Sequence, residues 1–240
     1  MIMRAIGPRG TAHSILVAPA TPTWTSGFSR LSDAAETQAL KAHLRREAAA
    51  RRRQAHAAHQ QAGLALMQHF KNAVAVPGGA AVSGFWPMAE EIDVKPLLAQ
   101  LHASGHPIGL PVVVKKGEPL IFRQWHPGMA LIAGGFGTEV PPHSAPEIEP
   151  RVLIVPLLAF DAEGFRLGYG GGFYDRTLDK LRRGSAADPL AVGVAFSAQH
   201  VVRVPRDDFD QPLDWIVTEK AAHHFASVPV EVIAAMNQVW

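Results

Sequence analysis

Residues 151–160 read RVLIVPLLAF, a nearly unbroken apolar run that constrains the fold more than any other stretch. A strand with one face in water alternates apolar and polar residues, whereas a strand covered on both faces is apolar throughout, as in parallel sheets with helices above and below. The run is too short for a membrane helix, which needs roughly 20 apolar residues. Shorter runs of the same kind occur at AVSGFW (81–86), PLAVGVAF (189–196) and DWIVT (214–218).

Helical patterns separate these strands. Asp33 has Glu36 in capping-box register, which predicts a helix from near Asp33 through LKAHLRREAAARRRQAHAAHQQAGLALMQHF, ending at Phe70. IDVKPLLAQLHASG (92–105) reads as a helix with Asp93 as N-cap and Gly105 as stop. YDRTLDKLRRG (174–184) and VEVIAAMNQVW (230–240) read as two more. IGLPVVV and PLIFRQW, joined by KKGE, suggest a hairpin-like excursion, and the glycine- and proline-rich residues 130–150 a long surface loop. The predicted fold is therefore α/β: an open, mostly parallel, doubly wound sheet with helices on both faces, a three-layer Rossmann-like α/β/α arrangement. Residues 33–240 are expected to form a single domain. Residues 1–32 contain no acid and three arginines and read as an extension packed weakly or disordered, because Pro8, Pro19 and Pro22 interrupt any amphipathic helix that a transit peptide would need.

Composition narrows the chemistry. The chain has no cysteine, which excludes disulfides, a thiolate nucleophile and Cys-ligated metal, and which suits a cytoplasmic protein. Its net charge of +2 is unevenly spread: residues 1–72 carry ten Lys/Arg against three acids, and the rest carries thirteen against eighteen. The basic character belongs to the first long helix.

The apolar strand leads into RLGYGGGFYDR (166–176). In open α/β sheets, ligands bind beyond the carboxyl ends of strands, and glycine amides beside a helix N-terminus form an anion site suited to phosphate. A dinucleotide fingerprint would need glycine where Phe173 stands, and no lysine precedes Ser or Thr as in a P-loop. The loop is either a phosphate cradle or a structural turn, with Asp175 a helix-start acid in the second case. In the first case Asp175 could hold Mg²⁺, which takes one or two carboxylates beside phosphates and water. A second carboxylate could come from Asp207, Asp208, Asp210 or Asp214.

Lys41 and Arg45 stand one turn apart and could neutralise a polyphosphate together. ARRR (50–53) circles the helix and reads as a solvated surface or a nucleic-acid patch, though no aromatics interleave it for base stacking. His56 and His59 lack a third ligand, so zinc is not expected. Trp86 and Glu91 flank a strand end, where a ring and a carboxylate could meet a heterocycle. No GxSxG elbow is present.

Together these stretches resemble the 5-formyltetrahydrofolate cyclo-ligase family, also called 5,10-methenyltetrahydrofolate synthetases. VPLLAFDAEGFRLGYGGGFYDRTL (155–178) is similar, nearly residue for residue, to the family's strand, AFD turn and RLGxGxGYYD loop. KAHLR (41–45) resembles its early K-x-x-L-R, EEID (90–93) its E-[IV]-[DE] site, and residues 193–219 its closing block. The resemblance implies ATP-dependent closure of 5-formyltetrahydrofolate to 5,10-methenyltetrahydrofolate, with ADP and phosphate released and a phosphorylated imidate between.

By the same resemblance, ATP would be bound by Lys41, Arg45 and the loop residues Arg166, Leu167, Gly168, Tyr169, Gly170, Gly171, Gly172, Phe173 and Tyr174. Tyr169 to Phe173 would border the folate, Glu91 would hydrogen-bond the pterin beside Trp86, and Asp175 and Asp210 would hold Mg²⁺. Arg166, Tyr174 and Arg176 are the expected catalytic residues, Arg176 being added on physical grounds as a phosphate contact. The chain departs from the family at Phe173, a common tyrosine, and at Gly171, where some members carry lysine. A monomer acting on ATP and a folate that can be polyglutamylated is expected, with no membrane partner. The contrasting expectation is a non-catalytic nucleotide- or RNA-binding protein.

Overall fold

The computed structural model describes residues 25–88, 90–184 and 188–225, with side chains of the first helix from residue 35 onward. The expected C-terminal helix at 230–240 and residues 1–24 of the expected extension lie outside the described residues.

The long basic segment is two helices rather than one. Helix α1 spans Thr25–Ala58 and α2 spans Ala62–Ala73, with a turn at 59–61 between them. Helix α1 thus begins eight residues before Asp33 (33 − 25), and the expected boundary between extension and domain falls inside it. Alanine, Arg, Gln and Glu, all strong helix formers, dominate α1 from Asp33 onward, whereas the eight residues before it, TSGFSRLS, hold only Arg30 of that set.

The strands are shorter than the apolar runs that announce them. After β1 (Val82–Ser83), helix α3 (Lys95–Ala103) leads to β2 (Ile108–Val112), which pairs antiparallel with β3 (Ile121–Trp125), the expected hairpin. The N-cap of α3 is Val94 rather than the expected Asp93, which stands one residue earlier and accepts the Lys95 amide on its Oδ1 at 3.0 Å. Residues 130–150 are not wholly irregular; β4 (Ile132–Ala133) and β5 (Glu139–Val140) make a small antiparallel pair there. The run at 151–160 is divided: β6 (Val152–Pro156) enters the main sheet, and β7 (Ala159–Phe160) leaves it to form a separate hairpin with β8 (Arg166–Leu167). Helix α4 (Phe173–Gly184), β9 (Leu190–Val194), β10 (Trp215–Val217) and the unexpected edge strand β11 (Ala222–His224) complete the described chain.

The main sheet has seven strands in the order β11-β10-β9-β6-β1-β2-β3, with five parallel central strands and an antiparallel strand at each edge. Successive β6 residues point to opposite faces, as the pleat requires. Val152 and Ile154 pack with Leu66 and Phe70 of α2 and Leu97 and Leu98 of α3, while Leu153 and Val155 pack with Leu178 and Leu181 of α4. Burying each of the two α4 leucines contributes about 1.5–3 kcal/mol. Both faces are covered, which is why β6 is apolar at every position. From β1 the chain winds one way through α3 to β2, and from β6 it winds the other way through α4 to β9. The carboxyl ends of β1 and β6 therefore flank a topological switch point, where such sheets bind ligands.

Candidate active site at the sheet switch point

Local hydrogen bonds place the glycine loop. Buried Asp161 closes the β7–β8 turn, its Oδ1 accepting the Glu163 and Phe165 amides at 3.0 Å each and its Oδ2 the Val204 amide at 2.9 Å. At the far end, the Thr177 hydroxyl donates to the Phe173 carbonyl at 2.7 Å and accepts the Leu120 amide at 2.9 Å, which ties the start of α4 to the main sheet's flank. The loop thus hangs between two fixed points.

Arginines line it. Arg166 is buried; its Nη2 donates to Asp175 Oδ1 at 2.7 Å and its Nη1 to the Gln211 carbonyl, and the same Asp175 oxygen accepts the Gln211 amide at 3.2 Å. Arg45 reaches from α1, its Nε donating to the Gly168 carbonyl at 3.0 Å. Its guanidinium lies against Gly170, where φ is +98° and a Cβ would stand 3.2 Å from Cζ, so only glycine fits. Half-buried Arg176 donates to the Gly171 carbonyl at 2.7 Å and stacks over the Phe173 ring at 5.2 Å. Leu167, by contrast, packs its side chain with Phe165, Leu158 and Ala48, so it can contribute only backbone to a ligand.

Lys41 occupies the acidic segment. Its Nζ donates to Asp210 Oδ2 at 2.6 Å and Asp207 Oδ2 at 2.9 Å, and the Asp207 amide donates to the same Asp210 oxygen at 2.8 Å. Burial pulls the ammonium pKa down, but the bonds to the two carboxylates outweigh it and hold it above its ordinary 10.5. Burial raises the Asp210 carboxyl despite the opposing pull of Lys41. Of the remaining acids, Asp208 is exposed, and Asp214 turns to the sheet, accepting the Ala191 amide at 2.7 Å. Asp210 and Asp175 come together through Gln211. Among the described residues no cluster of three or more His, Asp or Glu side chains could cage a metal by itself. The hard oxygens of Asp175 and Asp210 do fit Mg²⁺ of the kind completed by phosphates and water.

A second polar group lies beyond β1. Glu91 is 6% exposed; its Oε1 accepts the Tyr169 hydroxyl at 2.5 Å and its Oε2 the Met88 amide at 2.9 Å. Burial raises its pKa above 4.5, against the hydrogen bonds of Tyr169 and Met88 and the charge of Arg52. Tyr174 is half-buried, its hydroxyl enclosed and unpaired among the described residues, and burial, reinforced by the Glu91 charge, raises its pKa. Trp86 packs on Trp125 at 5.9 Å between ring centroids, with Lys95 Nζ 5.4 Å from its ring.

The expectation of a solvated surface for the ARRR run holds at Arg51 and Arg53, which are exposed, and is corrected at Arg52. Arg52 is 7% exposed, donates to the Tyr169 hydroxyl and lies 3.8 Å from Glu91, while Arg53 binds Glu90 at 3.0 Å and Arg51 approaches Glu47 at 3.7 Å. Its signal was present in the spacing, because Lys41, Arg45, Ala48, Arg52 and Ala55 recur at helical intervals and share one face. All but Arg45 are buried.

The sequence profile of the 5-formyltetrahydrofolate cyclo-ligase family matches residues 37–219, a span holding every site residue named above. The chain belongs to the 5-formyltetrahydrofolate cyclo-ligase family. It is 36% identical over 142 residues to the 5-formyltetrahydrofolate cyclo-ligase of Escherichia coli K12, covering 57% of this chain and 76% of that protein. To the cyclo-ligase of Haemophilus influenzae it is 31% identical over 158 residues, 64% of this chain and 83% of the other. The solution structure of Aquifex aeolicus 5,10-methenyltetrahydrofolate synthetase superposes with a TM-score of 0.61 at 28% identity, covering 79% of this chain and 95% of that one. The Mycoplasma pneumoniae 5,10-methenyltetrahydrofolate synthetase, 19% identical with a TM-score of 0.57, covers 76% and 98% and shares the fold. Cyclo-ligases are ligases, so the class of this protein is an enzyme that joins a carbon to a nitrogen.

Proposed function

We propose that this cyclo-ligase closes 5-formyltetrahydrofolate to 5,10-methenyltetrahydrofolate at the expense of Mg-ATP, releasing ADP and phosphate. The observation that carries the reading is the meeting, at one switch point, of a cation pair, an arginine-lined glycine loop, two carboxylates and a separate buried carboxylate. The first three suit a triphosphate and the last suits the donor edge of a pterin.

The formyl oxygen attacks the γ-phosphorus and ADP leaves; N10 then attacks the activated carbon, the C–O bond to phosphate breaks, and N10 loses its proton. Such chemistry needs positioning and charge neutralisation rather than a protein nucleophile. Lys41, Arg45 and Arg166 neutralise the polyphosphate, exchanging carboxylate and carbonyl partners for phosphate oxygens, and Arg176 meets it from the solvent side. Asp175 and Asp210 would hold Mg²⁺, which would supply charge neutralisation for the polyphosphate. Tyr169 to Phe173 border the folate, Glu91 accepts from its pterin with Trp86 beside it, and Tyr174 stands with Arg166 in the loop that wraps the triphosphate. The reading includes a monomer in the cytoplasm; no described helix is long and apolar enough to cross a membrane. The nucleic-acid alternative is weakened by the ion pairs that occupy Arg51, Arg52 and Arg53.

Purified protein mixed with 5-formyltetrahydrofolate and Mg-ATP should develop the near-ultraviolet band of the methenyl product, and an ATP-free control should not. Folded, ATP-binding protein that yields a flat trace would contradict the reading.

A further inference from the structure

Arg52 has no role in the reaction as described, although it is the most deeply buried arginine of the basic run. From one face of α1 its guanidinium reaches the Tyr169 hydroxyl, lies 5.4 Å from the centroid of that ring, and stands 3.8 Å from Glu91 Oε1 and 3.7 Å from Glu90 Oε2. Arg52 and Glu91 share the lining of a small cavity with Phe85, Ile92, Leu157 and Gln199, an apolar setting in which an isolated carboxylate would favour its neutral form. The Arg52 Nε is also buried without a partner among the described residues.

We propose that Arg52 is a positioning residue for the folate end of the site: it holds Tyr169 and Glu91 in register and keeps the Glu91 carboxylate ionised, so that Glu91 meets the pterin as an acceptor. The proposal rests on the cyclo-ligase reading of Glu91 given above. A protonated Glu91 would lose one acceptor and present a hydrogen to the pterin's own N–H donors, so the charge state decides whether the contact forms. The groups facing Glu91 are few: Arg52 from α1, Tyr169 from the glycine loop, Tyr174 from α4 and the Met88 amide, with Glu90 beside it drawn off by Arg53. Arg52 supplies the positive charge in that set. Burial pushes the Glu91 pKa up, and the Arg52 charge opposes that push.

The test is calorimetric binding of 5-formyltetrahydrofolate between pH 5 and pH 8 to the wild type, Arg52→Gln, Arg52→Lys and Arg53→Gln, alongside ATP-dependent turnover. In Arg52→Gln, the pH below which folate affinity falls should move up by about one unit, the lower range for losing an opposite charge at this distance. Arg52→Lys should keep the wild-type midpoint but bind less tightly at every pH, because a point charge cannot serve Tyr169 and Glu91 as a fork does. Arg53→Gln should leave both unchanged. An Arg52→Gln profile lowered by one factor at all pH values, with its midpoint unmoved, would overturn the proposal. If Arg52→Gln does not fold, Arg52→Lys decides it: wild-type affinity together with the wild-type midpoint would overturn the claim of register. Wild-type protein that neither binds nor turns over folate would instead overturn the cyclo-ligase reading itself.

Discussion

At the phosphate end, Lys41 lies between Asp207 and Asp210 and Arg166 is held by Asp175, and these acids keep 18–35% of their side-chain surface in contact with solvent. At the folate end, Glu91 and Arg52 keep only 5% and 8%. The first arrangement pairs buried cations with carboxylates that reach the rim and can return to water when phosphate oxygens take the cations. The second is a desolvated hydrogen-bonded group, in which each donor must find a specific acceptor or be stranded. The phosphate end is thus governed by charge count, and the folate end by hydrogen-bond geometry and protonation state.

Substitutions can separate the two. Asp175→Asn keeps the shape and one oxygen for Arg166 but removes a charge, and it should lower the ring-closure rate by on the order of a hundredfold or more with little change in thermal unfolding. A near-normal rate with Mg-ATP would remove Asp175 from the metal site. Lys41→Met leaves Asp207 and Asp210 facing each other without a cation, and should raise the KM for ATP by roughly tenfold or more, as expected for losing a charged hydrogen bond. Steady-state kinetics should show the folate KM much less affected; equal rises in both would erase the distinction between the ends.

Glu91→Gln should do the reverse, raising the folate KM by about tenfold with the ATP KM within about twofold. It has a second signature. A carboxyl whose folded pKa is raised contributes stability that is present below its ordinary value of 4.5 and is lost as pH rises through the raised value. The stability of the wild type relative to Glu91→Gln should therefore decline from pH 4.5 upward. A difference between their melting temperatures that stays constant with pH would show that Glu91 is not perturbed. The smallest effect belongs to Phe173→Tyr, which restores the family's common residue while the ring keeps its place beside Arg176 and Phe136. It should change turnover by less than about threefold, as for a surface substitution that breaks no buried contact.

How much of this the sequence disclosed depended on where the determining contacts lie. Helices on both faces, the strand at β6 and the glycine loop beyond it follow from local periodicity, and each is present. The divided run at 151–160 was hidden because Leu157, Leu158 and Ala159 are all buried like the strand before them; Leu157 still packs with Leu153 and Val155, and only Leu158 and Ala159 turn to a separate cluster that includes Ala48 of α1. Edge strand β11 was missed because AHH carries no apolar pattern, its place being set by pairing with β10. In the site, Lys41, Arg45 and the loop stood out through composition and family resemblance. Arg52 did not, since its neighbours in sequence are also arginines and only the position of Glu91, 39 residues further on (91 − 52), distinguishes it. The sequence left four acids open as the second metal-site candidate; tertiary contacts turn Asp214 to the sheet and bring Asp207 and Asp210 to Lys41.

In the proposed reaction the phosphate end activates the formyl oxygen held by the folate end. The most direct measurement uses 5-formyltetrahydrofolate labelled with ¹⁸O in the formyl group, turned over with Mg-ATP, followed by mass analysis of the inorganic phosphate. One labelled oxygen is expected in each phosphate released together with methenyl product. Unlabelled phosphate, with the isotope recovered in water, would mean that ATP is hydrolysed without touching the formyl group, and would contradict the proposed reaction.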